Sequence, residues 1–389
     1  MADEDILIDR AAGAIVGVFI GNALGVGVHW QYDLAKLAAD RGYVKDFLDP
    51  LPGTYHAGDL RAGQLEVQGS ITKILLESLA TKGGLDQGDF HERFEAQILR
   101  DHRVDGTRKG GPFGWTDKVV CDIYKSRVVE GRDWPECAQP RSDTPDAVVR
   151  GALVAARYHE TPRQLCRLIS AHAKAQTGDS GVQAHSVAFG CILAAVIHGH
   201  ALDDKLGSKL YKQCGTALPF SSMYSEEDFD AEYGHYSEPD PLLWLSNMAS
   251  GVCDPAVGQS IEPAHAGIQM YGKFCAYYAV LPSAYYCCLR FPDDFEGAVL
   301  CAVNGGGSNT TRASLVGALL GARVGLKALP PRLLAGLDDS GRIVAWALQV
   351  ARDATRAGTP AGEAGRAALD AEVNAGAVAA GDDEWAWPE

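Results

Sequence analysis

The sequence predicts an all-α fold, a compact multi-helix bundle, and three observations carry that prediction. Apolar residues recur at i, i+3, i+4 and i+7 in segment after segment. Hardly any stretch alternates with the period of two that a half-buried strand requires. A stripe of small residues, Gly13, Gly17, Gly21 and Gly25, runs at i, i+4 along the first apolar segment.

The first helix is expected over 6–26. Its glycine stripe lets neighbouring backbones approach closely, which places it at the centre of the bundle. The same GxxxG spacing suits a membrane dimer, but the segment is amphipathic at its start and ends in His29-Trp30, which favours a buried central helix. Asp33 reads as the cap of a helix begun by Leu34. Residues 43–68 mix Pro, Gly and aromatics and read as irregular. Helices follow over 70–81, 88–101 and 116–129. A surface connection over 132–145 carries Pro135, Pro140 and Pro145, and helices resume over 145–158, 162–175, 183–199 and 203–214. Residues 217–262 are rich in Glu, Asp, Tyr and Pro with a weak period. They suggest a long loop with short helices, of the kind that serves as a lid or binding loop. The pattern closes with 264–289, 293–303, 309–325, 340–356 and 362–376. Residues 1–376 read as a single domain, and 377–389 as a C-terminal tail that frays unless its two tryptophans dock.

With 389 residues, 47% of them hydrophobic, the chain can bury a large core. Its formal net charge is −15 and its pI about 5.2, so its surface repels phosphate backbones and anionic bilayers. Nucleic-acid and membrane partners are therefore not expected. No run approaches ~18 uninterrupted apolar residues, and the acidic start MADEDILID is not a secretory signal. A cytoplasmic protein is expected, with a small molecule as partner and a homo-oligomer left open. Cys166, Cys191, Cys275, Cys287, Cys288 and Cys301 sit in apolar helical patterns without a CxxC pair or zinc-site spacing, and read as buried thiols.

The most informative stretch is 302–325, AVNGGGSNTTRASLVGALLGARVG. Three glycines, a run of small polar residues and an opening helix make a corner that suits an anion or a sugar-phosphate. A plain helix–helix turn capped by Ser308 or Asn309 fits the same spacing. The chain has no G-x-S-x-G elbow, no HExxH and no phosphate loop ending in Gly-Lys-Ser/Thr.

That stretch resembles the C-terminal signature of the ADP-ribosylglycohydrolase superfamily, VN-x-GG-D-x-D-T followed by a Gly/Ala-rich helix. Residues 10–30, RAAGAIVGVFIGNALGVGVHW, resemble the family's opening R-x-x-GA-x-x-G-x-x-x-GDALG, and 281–304 fits its penultimate helices. The resemblance spans roughly 8–355 and implies an ADP-ribosylglycohydrolase-like helical bundle. It also implies two Mg²⁺ ions in typical members, held by acidic and Thr residues on both signatures. In this chain Ser308 and Thr310 stand at the two C-terminal aspartates, and only Thr311 is in place. The family's Thr-Asp-Asp-Thr cluster falls on Glu66, Val67, Gln68 and Gly69. His29 stands at the early glutamate and Asn22 at the Asp of GDALG. Neutral amides and hydroxyls offer little charge to a cation that dehydrates reluctantly, so no dinuclear magnesium centre, and no cofactor, is expected. Val28-His29-Trp30-Gln31-Tyr32-Asp33 is similar to the HW-x-YD motif of the branch holding the jellyfish J-type crystallins and selenoprotein J, whose GG-D-x-x-x-RA signature Arg312-Ala313 also fits, while its Asp is missing here.

The resemblance implies that the end of the first helix and the glycine corner converge on one site, with His29 and Arg312 in the same cleft. His29 is then a general acid or base, or else a hydrogen-bonded core histidine. A guanidinium nearby would depress its pKa. Glu66 is the one carboxylate left near the first cluster and the second acid–base candidate. Arg312 reads as a phosphate or carboxylate clamp, or as a salt-bridge partner of a neighbouring helix. Trp30 and Tyr32 stack on a ring or simply pack. Gln68, Ser308, Asn309, Thr310 and Thr311 supply amide and hydroxyl contacts, and Asp117, with Lys118 and Asp122, forms a second tier. His172 and Asp179 read as caps and surface residues. Two functions fit. One is an atypical, metal-independent enzyme hydrolysing a C–N or C–O bond to a sugar in a small polar or nucleotide-like ligand. The other is a catalytically inactive, crystallin-like binding or structural protein. A polar cleft would favour the first and an apolar or filled one the second.

Overall fold

The computed structural model describes residues 2–101, 115–138, 142–214, 240–252 and 261–355. These residues are helical with no strand among them, as expected for the all-α class. The helices are α1 (Ala2–Val26), α2 (Leu34–Arg41), α3 (Val67–Lys82), α4 (Gln87–Phe94), α5 (Lys118–Tyr124), α6 (Asp146–Tyr158), α7 (Pro162–Lys174), α8 (Ser180–Ile197), α9 (Leu206–Cys214), α10 (Leu243–Val252), α11 (Tyr277–Arg290), α12 (Phe295–Asn304), α13 (Asn309–Val324), α14 (Pro331–Gly336) and α15 (Ser340–Thr355). Wider π turns extend α4 through Glu95–Leu99 and α5 through Lys125–Val129. The helices expected over 88–101 and 116–129 therefore continue as predicted with a change of pitch. The expected 264–289 helix is broken instead. A 3₁₀ segment, Ala264–Met270, ends before Gly272, whose φ of +92° no helix accommodates, and α11 starts afresh at Tyr277. The expected 362–376 helix and the 377–389 tail lie outside the described residues, as do 217–239 and 253–260 of the expected 217–262 loop.

The centre of the bundle is the antiparallel pair α1 and α13, the most extensive helix contact in the fold. Gly13 faces Gly321, Gly17 faces Gly317, Gly21 faces Ala313 and Gly25 faces Thr310. Both helices thus spend their small residues on one another, and the axes come close enough for backbone to touch backbone. α15 covers another side of α1, and α11 and α12 pack on α13. α6, α7 and α8 form a second packed group.

Two helical stretches, Glu4–Val26 and Ser180–Ile197, are long and apolar enough by composition to cross a membrane. Within the fold 72% and 89% of those windows is buried, which is the character of core helices. The expectation that no segment reaches such a length counted only uninterrupted apolar runs. Scattered Gly, Ser and Gln interrupt a run without making the helix polar on average. Cys166, Cys191, Cys287, Cys288 and Cys301 are buried thiols as expected, whereas Cys275 sits half-buried in the coil before α11.

Candidate functional site

The site is assembled where the N-termini of α3, α5, α6, α8 and α13 meet, around a cavity of about 400 Å³. That volume is in the range of small-molecule pockets. Glu66 precedes α3 and caps it, accepting from the amides of Gln68 (2.8 Å) and Gly69 (3.1 Å). Behind it the Asn22 amide of α1 donates to the same carboxylate at 2.7 Å and accepts from the Glu66 N–H at 3.2 Å. Asp117 caps α5 through the Val120 amide (2.9 Å). Asp146 opens α6 and accepts from Thr144 Oγ1 at 2.7 Å. Asp179 caps α8 through the Val182 amide (2.9 Å). One turn into α6, the buried Arg150 donates to Gln68 Oε1 (2.7 Å), while Gln68 Nε2 donates to the Asp117 carboxylate. The Gln68 amide is thereby fixed as a bridge between a cation and an anion.

The glycine corner closes the opposite wall. Gly306 and Gly307 have φ of +68° and +65°, a left-handed conformation that residues with a Cβ rarely adopt. The turn they make lets Trp30 N–H donate to Gly307 O (3.0 Å) and Gly307 N–H donate to Gln31 O (2.8 Å). The end of α1 is thus stitched to the start of α13. Convergence of the two glycine-rich segments follows as the resemblance implies.

His29, Trp30, Glu66, Gln68, Asp117, Ser308, Thr310 and Thr311 line the cavity. Three expected residues do not. Arg312 is fully buried behind the wall, where it donates to Ser283 Oγ (2.9 Å), Ala302 O (3.0 Å) and Gly306 O (2.9 Å). It holds the end of α12 and the glycine turn in place, and its side chain does not line the cavity. Asn309 is also fully buried, and Tyr32 lies outside the cavity, nearly half exposed, its phenol raised in pKa by burial and by its hydrogen bond to Cys275. His172, expected at the surface, is buried and bonded to Gln87 Oε1 at 2.7 Å. Asp179 is the cap it was read as, and a cavity residue as well. Because Arg312 is structural, Arg312→Ala is expected to cost about 3 kcal/mol or more of stability through lost hydrogen bonds and an unfilled space. Turnover per folded molecule should be unchanged. Urea denaturation with assays on the folded fraction checks both.

Asn309 sets the chemistry of His29. Its amide nitrogen faces the carbonyls of Gly25, Val28 and Val303 at 3.3–3.5 Å, so its oxygen faces His29 Nδ1 at 2.9 Å. Nδ1 is then the donor and Nε2 the acceptor. Burial lowers the His29 pKa to about 3, with His56 next and Arg312 the smallest contribution. The expected depression is present, but burial causes it. A base that weak is poorly matched to neutral pH. Glu66 is better matched: burial raises its carboxyl to about 7, against the opposing hydrogen bonds of Asn22 and Gln68. Burial also raises Asp117, and it raises Asp146 to about 6 with the Asp117 charge contributing.

Several lining residues were not expected: His56, Trp115, Asp143, Asp146 and Cys275. Trp30, held at φ +58°, packs edge-on to Tyr55 at 4.8 Å and meets His56 and Trp115 at 6.0 Å. Tyr55 in turn packs on Trp115 at 4.8 Å. Trp30, His56 and Trp115 line the cavity together with carboxylates from Glu66, Asp117, Asp122, Asp143, Asp146 and Asp179, and Tyr55 packs against the two indoles outside it. Lys118 is the one cationic side chain among the described lining residues, and it pairs with Asp122. These carboxylates suit an electron-poor or cationic centre in the part of the cavity they line.

A family model described as ADP-ribosylglycohydrolase matches residues 3–363. An uncharacterized protein of Archaeoglobus fulgidus is 26% identical over 337 residues, which are 85% of this chain and 92% of that protein. A solved structure described as an ADP-ribosylglycohydrolase-related protein complex superposes with a TM-score of 0.58 at 21% identity, covering 90% of this chain and 99% of the other. At that identity the likeness is one of fold.

Proposed function

The chain belongs to the ADP-ribosylglycohydrolase family, and from that premise we propose that it hydrolyses a C–N or C–O bond to a sugar, in a small polar or nucleotide-like ligand, without a dinuclear magnesium centre. The observation that carries this reading is Glu66, a buried carboxyl held near pKa 7 on the wall of the cavity. A group of that pKa both gives and takes a proton at neutral pH. Protonated Glu66 donates to the leaving nitrogen or oxygen as its bond to the anomeric carbon breaks. The carboxylates of Asp117 and Asp146 stabilise the oxocarbenium-like charge that develops. Water then adds to the anomeric carbon and returns a proton to Glu66. The cavity rings of Trp30 and Trp115 stack on the ligand.

The donor set does not fit two Mg²⁺ ions. Such a centre needs hard oxygens converging on each ion. Among the described residues, no three His, Cys, Asp or Glu ligand atoms in the cavity lie within 4.8 Å of one another. Glu66 Oε1 accepts from both Gly69 N–H and Asn22 and Oε2 from Gln68 N–H, which leaves one position, the one the transferred proton uses, and Gln68 Nε2 sits on the Asp117 carboxylate. Val67 offers no ligand, and Ser308 and Thr310 are uncharged. The HW-x-YD segment and Arg312-Ala313 support the branch of J-type crystallins and selenoprotein J. Buried carboxylates converging on one cavity favour an enzyme over the structural role of a lens protein.

The test is turnover on a panel of N- and O-glycosidic ADP-ribosyl and ribosyl compounds, with protein dialysed against EDTA. Sugar release that neither needs nor gains from added Mg²⁺ is expected. Absence of turnover and of binding across the panel, or activity restored only by Mg²⁺, would overturn the reading.

A further inference from the structure

α6 and α8 both start at the cavity and run side by side away from it, with α7 returning between them. At 1.5 Å per residue the length of α6 carries the chain roughly 20 Å from the site. At that far end His159 follows the last residue of α6 and His198 follows the last residue of α8. His159 Nδ1 lies 3.2 Å from His198 Nε2 and 3.7 Å from a Glu160 carboxylate oxygen. Among the described residues this is the one group of three or more His, Cys, Asp or Glu side chains whose ligand atoms all lie within 4.8 Å of one another. We propose that His159, Glu160 and His198 bind one zinc ion, tying together the far ends of α6 and α8.

The distances carry the argument. Tetrahedral zinc with bonds of 2.0–2.1 Å to nitrogen places two ligand nitrogens roughly 3.3–3.4 Å apart. The two ring nitrogens stand at 3.2 Å, joined by a hydrogen bond, and His198 Nε2 also lies 3.2 Å from His159 O, so the ion takes the place of the proton they share. Glu160 is exposed enough for its carboxylate to swing in, and it gives an ion a path from solvent, whereas His159 is buried. Water takes the fourth position, and His200, two residues beyond His198, acts on that histidine electrostatically.

Ion identity follows from the donors. Two imidazoles and one carboxylate suit zinc and other transition ions, not the all-oxygen preference of Mg²⁺ or Ca²⁺. The nearest cations, Arg10 and Arg157, oppose any ion held by charge alone. An ion with strong bonds to nitrogen tolerates them. Neither histidine nor Glu160 belongs to the cavity, so this site is independent of the hydrolytic one.

The experiment uses the full chain, stripped by chelator and titrated with Zn²⁺ and with Co²⁺ as a visible probe. One ion per chain, the d–d bands of four-coordinate Co²⁺ and a thermal midpoint raised by several degrees are expected. Affinity should fall at least about tenfold in His198→Ala and in Glu160→Gln, since even outer-shell partners of a metal ligand carry that much. The exposed Glu160→Gln change keeps the test valid should His198→Ala fail to fold. A wild-type chain that binds neither ion, or variants that bind it as tightly as wild type, would overturn the proposal.

Discussion

Gly17→Leu is expected to leave little folded protein, and Gly17→Ala alone to cost about 3 kcal/mol or more. Overpacking of a core by a few methylenes costs about 1–3 kcal/mol when side chains can rotate away. Here nothing can rotate. A Cβ built on Gly17 would overlap the carbonyl oxygen of Gly317 and lie 2.6 Å from its carbonyl carbon, so backbone meets backbone. Relief requires α1 and α13 to separate, and that breaks the largest helix contact in the fold. Since whole domains are stable by only about 5–15 kcal/mol, one methyl at this position removes a large share. Gly341 supplies the control. It lies in α15 with open space where its Cβ would be, so Gly341→Ala should be neutral or stabilise by roughly 0.5–1 kcal/mol. Urea midpoints of the two alanine variants decide the matter. A Gly17→Ala midpoint equal to wild type would mean that the helices are not packed as described.

For Glu66→Gln, turnover should fall by roughly 10²–10⁴-fold with little change in KM, the usual loss when a positioned proton donor is removed. Glutamine keeps an acceptor for the α3 cap, so the fold should survive the change. The wild-type pH profile is a second readout. Glu66 must carry its proton to act as donor, so activity falls as pH rises through about 7. Asp146 must be ionised to stabilise positive charge, so activity falls as pH drops through about 6. A narrow bell between those limbs is expected, and Glu66→Gln should lose its alkaline limb. Stability follows the same sign. The Glu66 pKa is raised on folding, so its contribution is fully present below about 4.5, the ordinary glutamate value, and is lost as pH rises through about 7. The thermal midpoint of Glu66→Gln should accordingly fall less than that of wild type between pH 5 and 8. An unchanged kcat in Glu66→Gln would remove this residue from the mechanism.

Periodicity located the long helices well, because a buried helical face writes itself into the sequence every 3.6 residues. It was weakest where no face is written. The break before α11 depends on Gly272 and six residues of coil, and α10 and α14 are too short to show a period. Within the site, the partners of the glycine corner were legible from resemblance, since Glu66, Gln68, Ser308, Thr310 and Thr311 occupy positions that the family uses. His56 and Tyr55 lay in a stretch readable only as irregular, and Asp146 looked like any acid in a first helical turn.

The sequence by itself determined the all-α class, the glycine-lined central helix and the pairing of its end with the glycine corner. The first two follow from composition and spacing along one segment, and the third from the resemblance of both segments to the family's signatures. Only the tertiary structure decided which side chains the cavity receives. Successive helix residues point about 100° apart, so Thr311 faces the cavity while Arg312 and Asn309, three positions apart on the other face, turn inward to carbonyls. Burial, also a tertiary quantity, then sets the protons. It drives His29 to about 3 and Glu66 to about 7, and so favours the glutamate over the histidine for the proposed acid–base role. No local pattern encodes that exchange, because desolvation depends on everything that packs around a group and not on its neighbours in the chain.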